Sequence, residues 1–371
     1  MKIRFFALLL LVCLCLFTVR AEENFTPLFN GKDLSGWTPI GEPGAFAVKK
    51  NAIFTTGAGP YPTWLRTEKE YENFVLRFEF QTEGWYEGGV LIHAPADGPA
   101  SKLGLKLHLR HDQKKYGARS PGAIYDAAAP MAIANKPSGQ WNQCEIVCDW
   151  PTLKVTLNGE LIHNINMEND DAFRHRLRSG FVGIQNIGCK GYFKNIEIKT
   201  LPGKEQWTDL FKDGLDGFHL HEKTEWSLAD GVLTGKGQNG FASSKEEFDG
   251  PMEFQAWCKT IVNGNGGVHF NWAGDGHGIE VQCFNSPDST NPTGSLYGIA
   301  PAQRIVSYDE EWFLLQVFSD GPHAMVRVNG ENVCESSEIA EPHRGSVAFQ
   351  QHTPGTVIQY RDAKIIKRNW R

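Results

Sequence analysis

The sequence predicts an all-β fold of two sandwiches in series, and three observations predict it. The chain repeats itself at long range, its apolar residues alternate with polar ones, and no amphipathic helix of convincing length interrupts the pattern. Leu28-Phe29-Asn30-Gly31-Lys32-Asp33-Leu34-Ser35-Gly36-Trp37 opens one half, and Leu210-Phe211-Lys212-Asp213-Gly214-Leu215-Asp216-Gly217-Phe218 opens the other. Gly88-Gly89-Val90 answers to Gly266-Gly267-Val268, Gly122-Ala123-Ile124-Tyr125 to Gly294-Ser295-Leu296-Tyr297, and Trp141 to Trp312. Gly180 to Gln185 answers in the same way to Gly345 to Gln350. The offset drifts from about 182 to about 165, as small loop insertions would make it. A period this long marks duplicated domains, not a solenoid.

Each segment carries its own signal. Phe74, Leu76, Phe78 and Phe80 alternate with Val75, Arg77 and Glu79, the pattern of a strand with one buried face. In Leu105 to Arg110 the leucines point inward, so Lys106, His108 and Arg110 share the opposite face. In the second copy Ile279, Val281 and Cys283 point inward, and Glu280 and Gln282 share the other face. A polar row on a central strand is expected where that face is the floor of a cleft. Val155 and Leu157 run into Asn158-Gly159, and Val326 and Val328 into Asn329-Gly330; both read as tight hairpins. Trp226, Trp141 and Trp312 have apolar partners in the repeat and read as core. Trp64, Trp85, Tyr86 and Trp272 fall in loops or at strand ends, where a ring can stack on a ligand or cover an edge.

The first 21 residues read as a signal peptide. Lys2 and Arg4 precede the apolar run Phe5 to Val19, and Val19-Arg20-Ala21 puts small residues at the cleavage position. The domains expected after it are 22–201 and 205–371, with the linker near Leu201-Pro202-Gly203-Lys204. The expected location is secreted or periplasmic, with no membrane span. Losing Lys2, Arg4 and Arg20 moves the formal charge from −6 to −9, which disfavours nucleic acid and anionic membranes as partners. Six cysteines then remain without a C-x-x-C pair, so zinc and thioredoxin-like readings are weak. They read as buried small side chains, with one or two disulfides open as an alternative. No cofactor is expected. A divalent metal stays open through His219-x-His221 and Asp309-Glu310-Glu311, neither of which has a recognised ligand spacing.

The opening motif, the Gly-Gly-x-Val strand, the G-x-[IL]-Y segment, the W…NG hairpin and the terminal G-x-[IV]-x-[IF]-Q together resemble the 3-keto-disaccharide hydrolase-like family, also described as 3-keto-glucoside-1,2-lyase and 3-keto-2-hydroxy-glucal hydratase. The resemblance covers nearly all of the mature chain as two tandem copies. It implies concanavalin-like jelly rolls, export, and a carbohydrate substrate oxidised at C3. The family's Glu-x-Gln strand is kept in copy two as Glu280 and Gln282, whereas copy one has Lys106 and His108. The family's Gln-x-His is kept as Gln350 and His352, against Gln185 and Ile187.

What the resemblance implies chemically is removal of the C2 hydrogen beside the C3 ketone, loss of the C1 aglycone, and rehydration. That needs a base at C2, a donor at the C3 oxygen and an acid at the leaving oxygen. The catalytic candidates are Glu280 or His352 as base and Tyr297 as donor to a developing alkoxide. The substrate-binding candidates are His269, Asn271, Gln282 and Gln350 in copy two, and His93, Lys106, His108, Tyr125 and Gln185 in copy one. His269 joins the cleft if Val268 faces the core. The rival reading is a tandem carbohydrate-binding module without turnover, which the same fold and cleft would serve. A retaining glycosidase is disfavoured, because no Glu-x-Asp-x-x-Glu run is present.

Overall fold

A computed structural model describes residues 24–42, 44–58, 63–221, 223–261, 263–274, 277–339 and 344–368. The signal-peptide expectation falls outside these residues. The described chain is all-β and forms two concanavalin-like jelly-roll sandwiches in tandem, each an eight-stranded sheet packed on a five-stranded one.

In the first sandwich the large sheet runs in the order Glu160–Asn166, Thr152–Leu157, Asn142–Asp149, Asn73–Glu83, Lys190–Leu201, Ala52–Thr56, Phe46–Lys49, with Thr26–Pro27 added along Lys190–Leu201. Its small sheet is Trp37–Ile40, Thr63–Tyr71, Gly180–Asn186, Glu87–Ala94, Leu105–Arg110. The second sandwich repeats both orders. Its small sheet is Phe218–Leu220, Gly240–Asp249, Arg344–Gln351, Gly266–Gly274, His277–Cys283.

Alternation builds the cores. Phe74, Leu76, Phe78 and Phe80 are buried against Leu105, Leu107 and Leu109 in one sandwich. Phe254, Ala256 and Cys258, with Val281 and Cys283, occupy the equivalent positions in the other. The two Asn-Gly hairpins form as expected, with φ 53° and 85° at Asn158-Gly159 and 50° and 77° at Asn329-Gly330. Each asparagine also pins a loop: Asn158 Nδ2 donates to Ala134 O at 2.8 Å and Asn329 Nδ2 to Val306 O at 2.8 Å. The six described cysteines are buried and free. Trp226 is core, but Trp141 is only half-buried, lying beneath Lys194 Nζ at 4.1 Å.

Trp312 is half-buried for a different reason. With Trp257, Leu314, Leu103 and Leu177 it forms an apolar cluster between the two sandwiches. The outer face of the second large sheet supplies Trp257 and Leu314. The positions equivalent to these in the first large sheet are Glu79 and Gln143. Beside the cluster, Arg178 Nη1 donates to both Glu205 oxygens at 2.8 and 2.7 Å and lies 3.2 Å from Glu253 Oε2, and Arg368 bonds both glutamates. Burial pushes the Glu253 carboxyl up to about 7 against the pull of Arg178.

An Arg178→Leu substitution would leave two carboxylates, whose side chains are only 8% and 2% exposed, sharing the Arg368 guanidinium alone. The expected cost is about 1.5–3 kcal/mol, seen as a lower urea midpoint. An unchanged midpoint would show that this ion cluster does not hold the sandwiches together.

Candidate active site on the second small sheet

Cross-strand register places the polar residues of the second copy in two rows on the outer face of its five-stranded sheet. One row is Phe241, Gln350, Gly267, Gln282. The next is Ser243, Ala348, His269, Glu280. Residues directly opposite on paired strands share a face, so all of these point away from the core residues Val268, Val281 and Phe349. The free edge of His277–Cys283 is held by the segment from Gly294 to Tyr297. There Gly294 N donates to Gln282 O at 2.8 Å, Gln282 N to Ser295 O at 3.0 Å and Tyr297 N to Glu280 O at 2.9 Å. The G-x-[IL]-Y motif therefore fixes the strand that carries Glu280.

Glu280 lies flat across the neighbouring strand. A Cβ added to Gly267 would come within 2.8 Å of Glu280 Oε1 and 2.9 Å of Val281 O. The glycine is what allows this pose. The Glu280 side chain is 14% exposed, and its Oε2 stands 3.9 Å from His269 Nε2. Burial pushes the Glu280 carboxyl up to about 7 and holds the His269 imidazole down to about 4, so His269 is neutral. His269 packs edge-on against Phe241 and Trp272, with ring centroids at 5.2 and 5.1 Å. Gln350 flanks the imidazole. Neither ring nitrogen, nor Gln350 Oε1, reaches full hydrogen-bond geometry among the described residues. These buried polar atoms have unspent capacity, which a ligand's hydroxyls or a small rearrangement can use.

At one end of the rows Gln282 Nε2 donates to Asn265 Oδ1 at 2.6 Å, and Asn265 Nδ2 lies 3.3 Å from His352 Nδ1. His352 is exposed at that end and reaches the cluster through Asn265. Tyr297 is 54% exposed at the sheet edge, beside Glu280 along the backbone.

Asn271 and His93 leave the cleft face. Each stands at a β-bulge with left-handed φ, 53° and 51°. After the bulge Trp272, not Asn271, joins His269 and Phe241. His93 turns inward against Phe74, its Nδ1 3.1 Å from Leu177 O and Nε2 2.6 Å from Glu72 O. Burial lowers its imidazole to about 4. Simple alternation places both residues in the cleft; one extra residue per strand reverses the outcome.

In the first copy the corresponding row is internally paired. Lys106 crosses Gly89 as Glu280 crosses Gly267, its Nζ reaching Gln185 Oε1 at 3.3 Å and lying 3.5 Å from the centre of the Tyr125 ring. Burial lowers its ammonium to about 8. His108 Nδ1 contacts Arg119 O at 3.0 Å. Its Nε2 stands 3.2 Å from Glu87 Oε1, at an angle that makes no hydrogen bond, and Arg110 holds the other Glu87 oxygen at 3.2 Å. Trp64 lies over Gly183 and packs with Leu91 and Phe181. Tyr86 is core, while Trp85 is 61% exposed. Among the described residues no group of three or more His, Cys, Asp or Glu could hold a metal.

Two large hollows lie away from these rows. One, of about 630 Å³, is on the outer face of the first large sheet against Phe29 and Asn195. The other, of about 620 Å³, is between the copies against Phe211 and Asp362. The two are equivalent positions in the duplication, at the left-handed residue of the last strand, with φ 49° and 51°. They follow from the frame common to both copies.

The model of the 3-keto-alpha-glucoside-1,2-lyase-like domain matches residues 24–199 and again 206–366. The chain belongs to this family, twice over. A curated relative, the 3-keto-disaccharide hydrolase of Bacteroides thetaiotaomicron, is 21% identical over 237 residues, covering 48% of this chain and 79% of the relative. Two solved chains from Parabacteroides distasonis, assigned provisionally to the glycosyl hydrolases, are 24% and 22% identical. They cover 48% of this chain and 94% and 99% of their own, with TM-scores of 0.43 and 0.42. Membership places the tandem chain in a carbohydrate-active family.

Phe241 is a member of the site that sequence reading passed over. Its partner in the repeat is Trp64, which had been singled out as an aromatic at a strand end, and that pairing was the available signal.

Gly267→Ala should push Glu280 off the sheet. The expected result is a carboxyl pKa falling toward the ordinary range in a ¹³C NMR titration, with a stability loss of about 1–3 kcal/mol. An unmoved Glu280 titration would mean that the glycine does not set the pose.

Proposed function

We propose that the second sandwich cleaves 3-keto-glycosides, with Glu280 as the base that removes the C2 hydrogen. The observation that carries this reading is a carboxyl group on the outer face of the small sheet, laid over Gly267 and tuned by burial to about 7. A base poised near the working pH combines a useful ionised fraction with enough basicity to take a carbon-bound proton. The ketone at C3 acidifies the C2 hydrogen. Glu280 takes that proton, the electron pair forms the C1–C2 double bond, and the C1–oxygen bond breaks with its electrons on the aglycone oxygen. A proton from an acid completes the aglycone alcohol, and water adding to C1 returns the free 3-keto sugar. Gln282 and Gln350 sit where they can orient hydroxyls. Neutral His269 is placed to donate to the C3 oxygen as negative charge develops there. His352 and Tyr297, exposed at the margins, are candidates for protonating the leaving oxygen.

The first sandwich is assigned a non-catalytic role. Lys106 stands in the position of Glu280 and is itself engaged by Gln185 and Tyr125, while Arg110 pairs with Glu87 beside it. The tandem would thus be one catalytic copy and one binding or structural copy. We place it outside the cytoplasm on the strength of the basic start and the apolar run from Phe5 to Val19.

Glu280→Gln should lower kcat/KM on a 3-keto-glucoside by about 100-fold or more while the far-UV spectrum stays native-like and the melting temperature does not fall. Retained turnover removes Glu280 from the mechanism. In the parent protein the base form grows as pH rises through about 7, so kcat/KM should fall tenfold per pH unit below that value. The same shift acts on stability. A carboxyl raised in the folded state resists ionising there, so its penalty is absent below the unfolded pKa and complete above about 7. Glu280→Gln should therefore stabilise the protein at pH 8 relative to pH 4, by roughly 1–3 kcal/mol. Equal effects at both pH values would show that Glu280 is not perturbed.

A further inference from the structure

We infer that Phe241 is the stacking platform for the leaving half of the substrate, so that the second copy selects a second pyranose ring over a small aglycone. This rests on the reading of Glu280 as the base and adds where the aglycone goes. The Phe241 and His269 ring centres are 5.2 Å apart, and His269 Nε2 is 3.9 Å from Glu280 Oε2. The imidazole therefore lies between the aromatic ring and the base. Two strand spacings, about 9–10 Å, separate the Phe241 backbone from the strand over which Glu280 lies. A sugar whose C2 meets Glu280 is too short to cover Phe241 as well. A second sugar linked to it reaches that far.

The ring is built as a platform. Trp272 backs it at a 4.3 Å centroid distance with the planes tilted 35°, and His269 meets it nearly perpendicular at 84°. Held on these sides, Phe241 is still only half-buried. A fixed aromatic ring with accessible surface suits the C–H face of a pyranose. Polar groups flank it. Ser243 is half-buried one row along, the exposed His219 lies on the adjoining edge strand, and the exposed His221 follows its end, with His221 N donating to Phe241 O at 2.9 Å.

The first copy shows the same place closed. Trp64 replaces Phe241 and is only 7% exposed, lying over Gly183. Arg66 replaces Ser243 and covers Phe181 at 3.9 Å. In the second copy a serine stands at that position, and Phe241 is half-buried where Trp64 is buried.

The test uses the full chain with two substrates, 3-keto-maltose and methyl 3-keto-α-glucoside, and two variants, Phe241→Leu and Ser243→Arg. The second gives that position the long side chain the first copy carries and leaves the ring in place. The ratio of kcat/KM for the disaccharide to that for the methyl glycoside should fall at least tenfold in both variants. An unchanged ratio, with both substrates affected alike or not at all, overturns the platform; Phe241 then acts only through His269. If the parent protein releases nothing from either substrate, the Glu280 reading fails, and calorimetry with maltose in the Glu280→Gln background decides the platform separately. Maltose binding that weakens at least fivefold on adding Phe241→Leu supports it. Equal binding, or no binding by Glu280→Gln, overturns it.

Discussion

A side chain can lie flat across a β-sheet only where the adjoining strand presents nothing to collide with, and Gly267 provides that gap for Glu280. The consequences run in sequence. The flat pose brings the carboxyl against His269 and the sheet surface, burial removes water from it, and its ionisation becomes costly. An upright Glu280 would be solvated and would titrate as an ordinary carboxyl. The first copy uses the same gap at Gly89 to lay down Lys106, which there finds Gln185 as an acceptor. In both copies the fold provides a trough for one long polar side chain, and the identity of that side chain sets its chemistry.

The duplication works as an internal control on what belongs to the frame. Strand order, the Asn-Gly hairpins, the edge-holding G-x-[IL]-Y segment and the hollows at the last strand recur in both copies. The outer faces do not. On the small sheets, Trp64, Arg66, Leu91 and Lys106 correspond to Phe241, Ser243, His269 and Glu280. On the large sheets, Glu79 and Gln143 correspond to Trp257 and Leu314, so only the second copy offers an apolar back on which the first can dock. The docking is directional, and the polar back of the first copy resists a further sandwich being added in the same way, as polar end caps do in repeat proteins.

Much of this was legible in the residues. Alternation gave the all-β class and sorted Glu280 and Gln282 from Val281 and Cys283, because burial on one face of a strand leaves a two-residue period. The repeat gave the sandwich pair, and the motifs gave the family. His93 and Asn271 were misplaced because a bulge shifts every later residue to the opposite face, and nothing in either strand announces it. Trp141 and Trp312 were read as core because a tryptophan beneath a lysine or in a domain interface has the same composition signal as one inside.

The sequence alone determined the secondary-structure period, the duplication and the set of polar side chains available on each small sheet. Those properties follow from local backbone geometry and from which faces must be dry. The tertiary structure decided which polar groups meet. The His269–Glu280 approach, the crossing of Gly267, the Phe241–Trp272 wall and the pairing that closes the first copy all depend on cross-strand register between segments up to about a hundred residues apart. The shift of Glu280 to about 7 was likewise invisible in the chain, because it arises from the water that surrounding strands exclude.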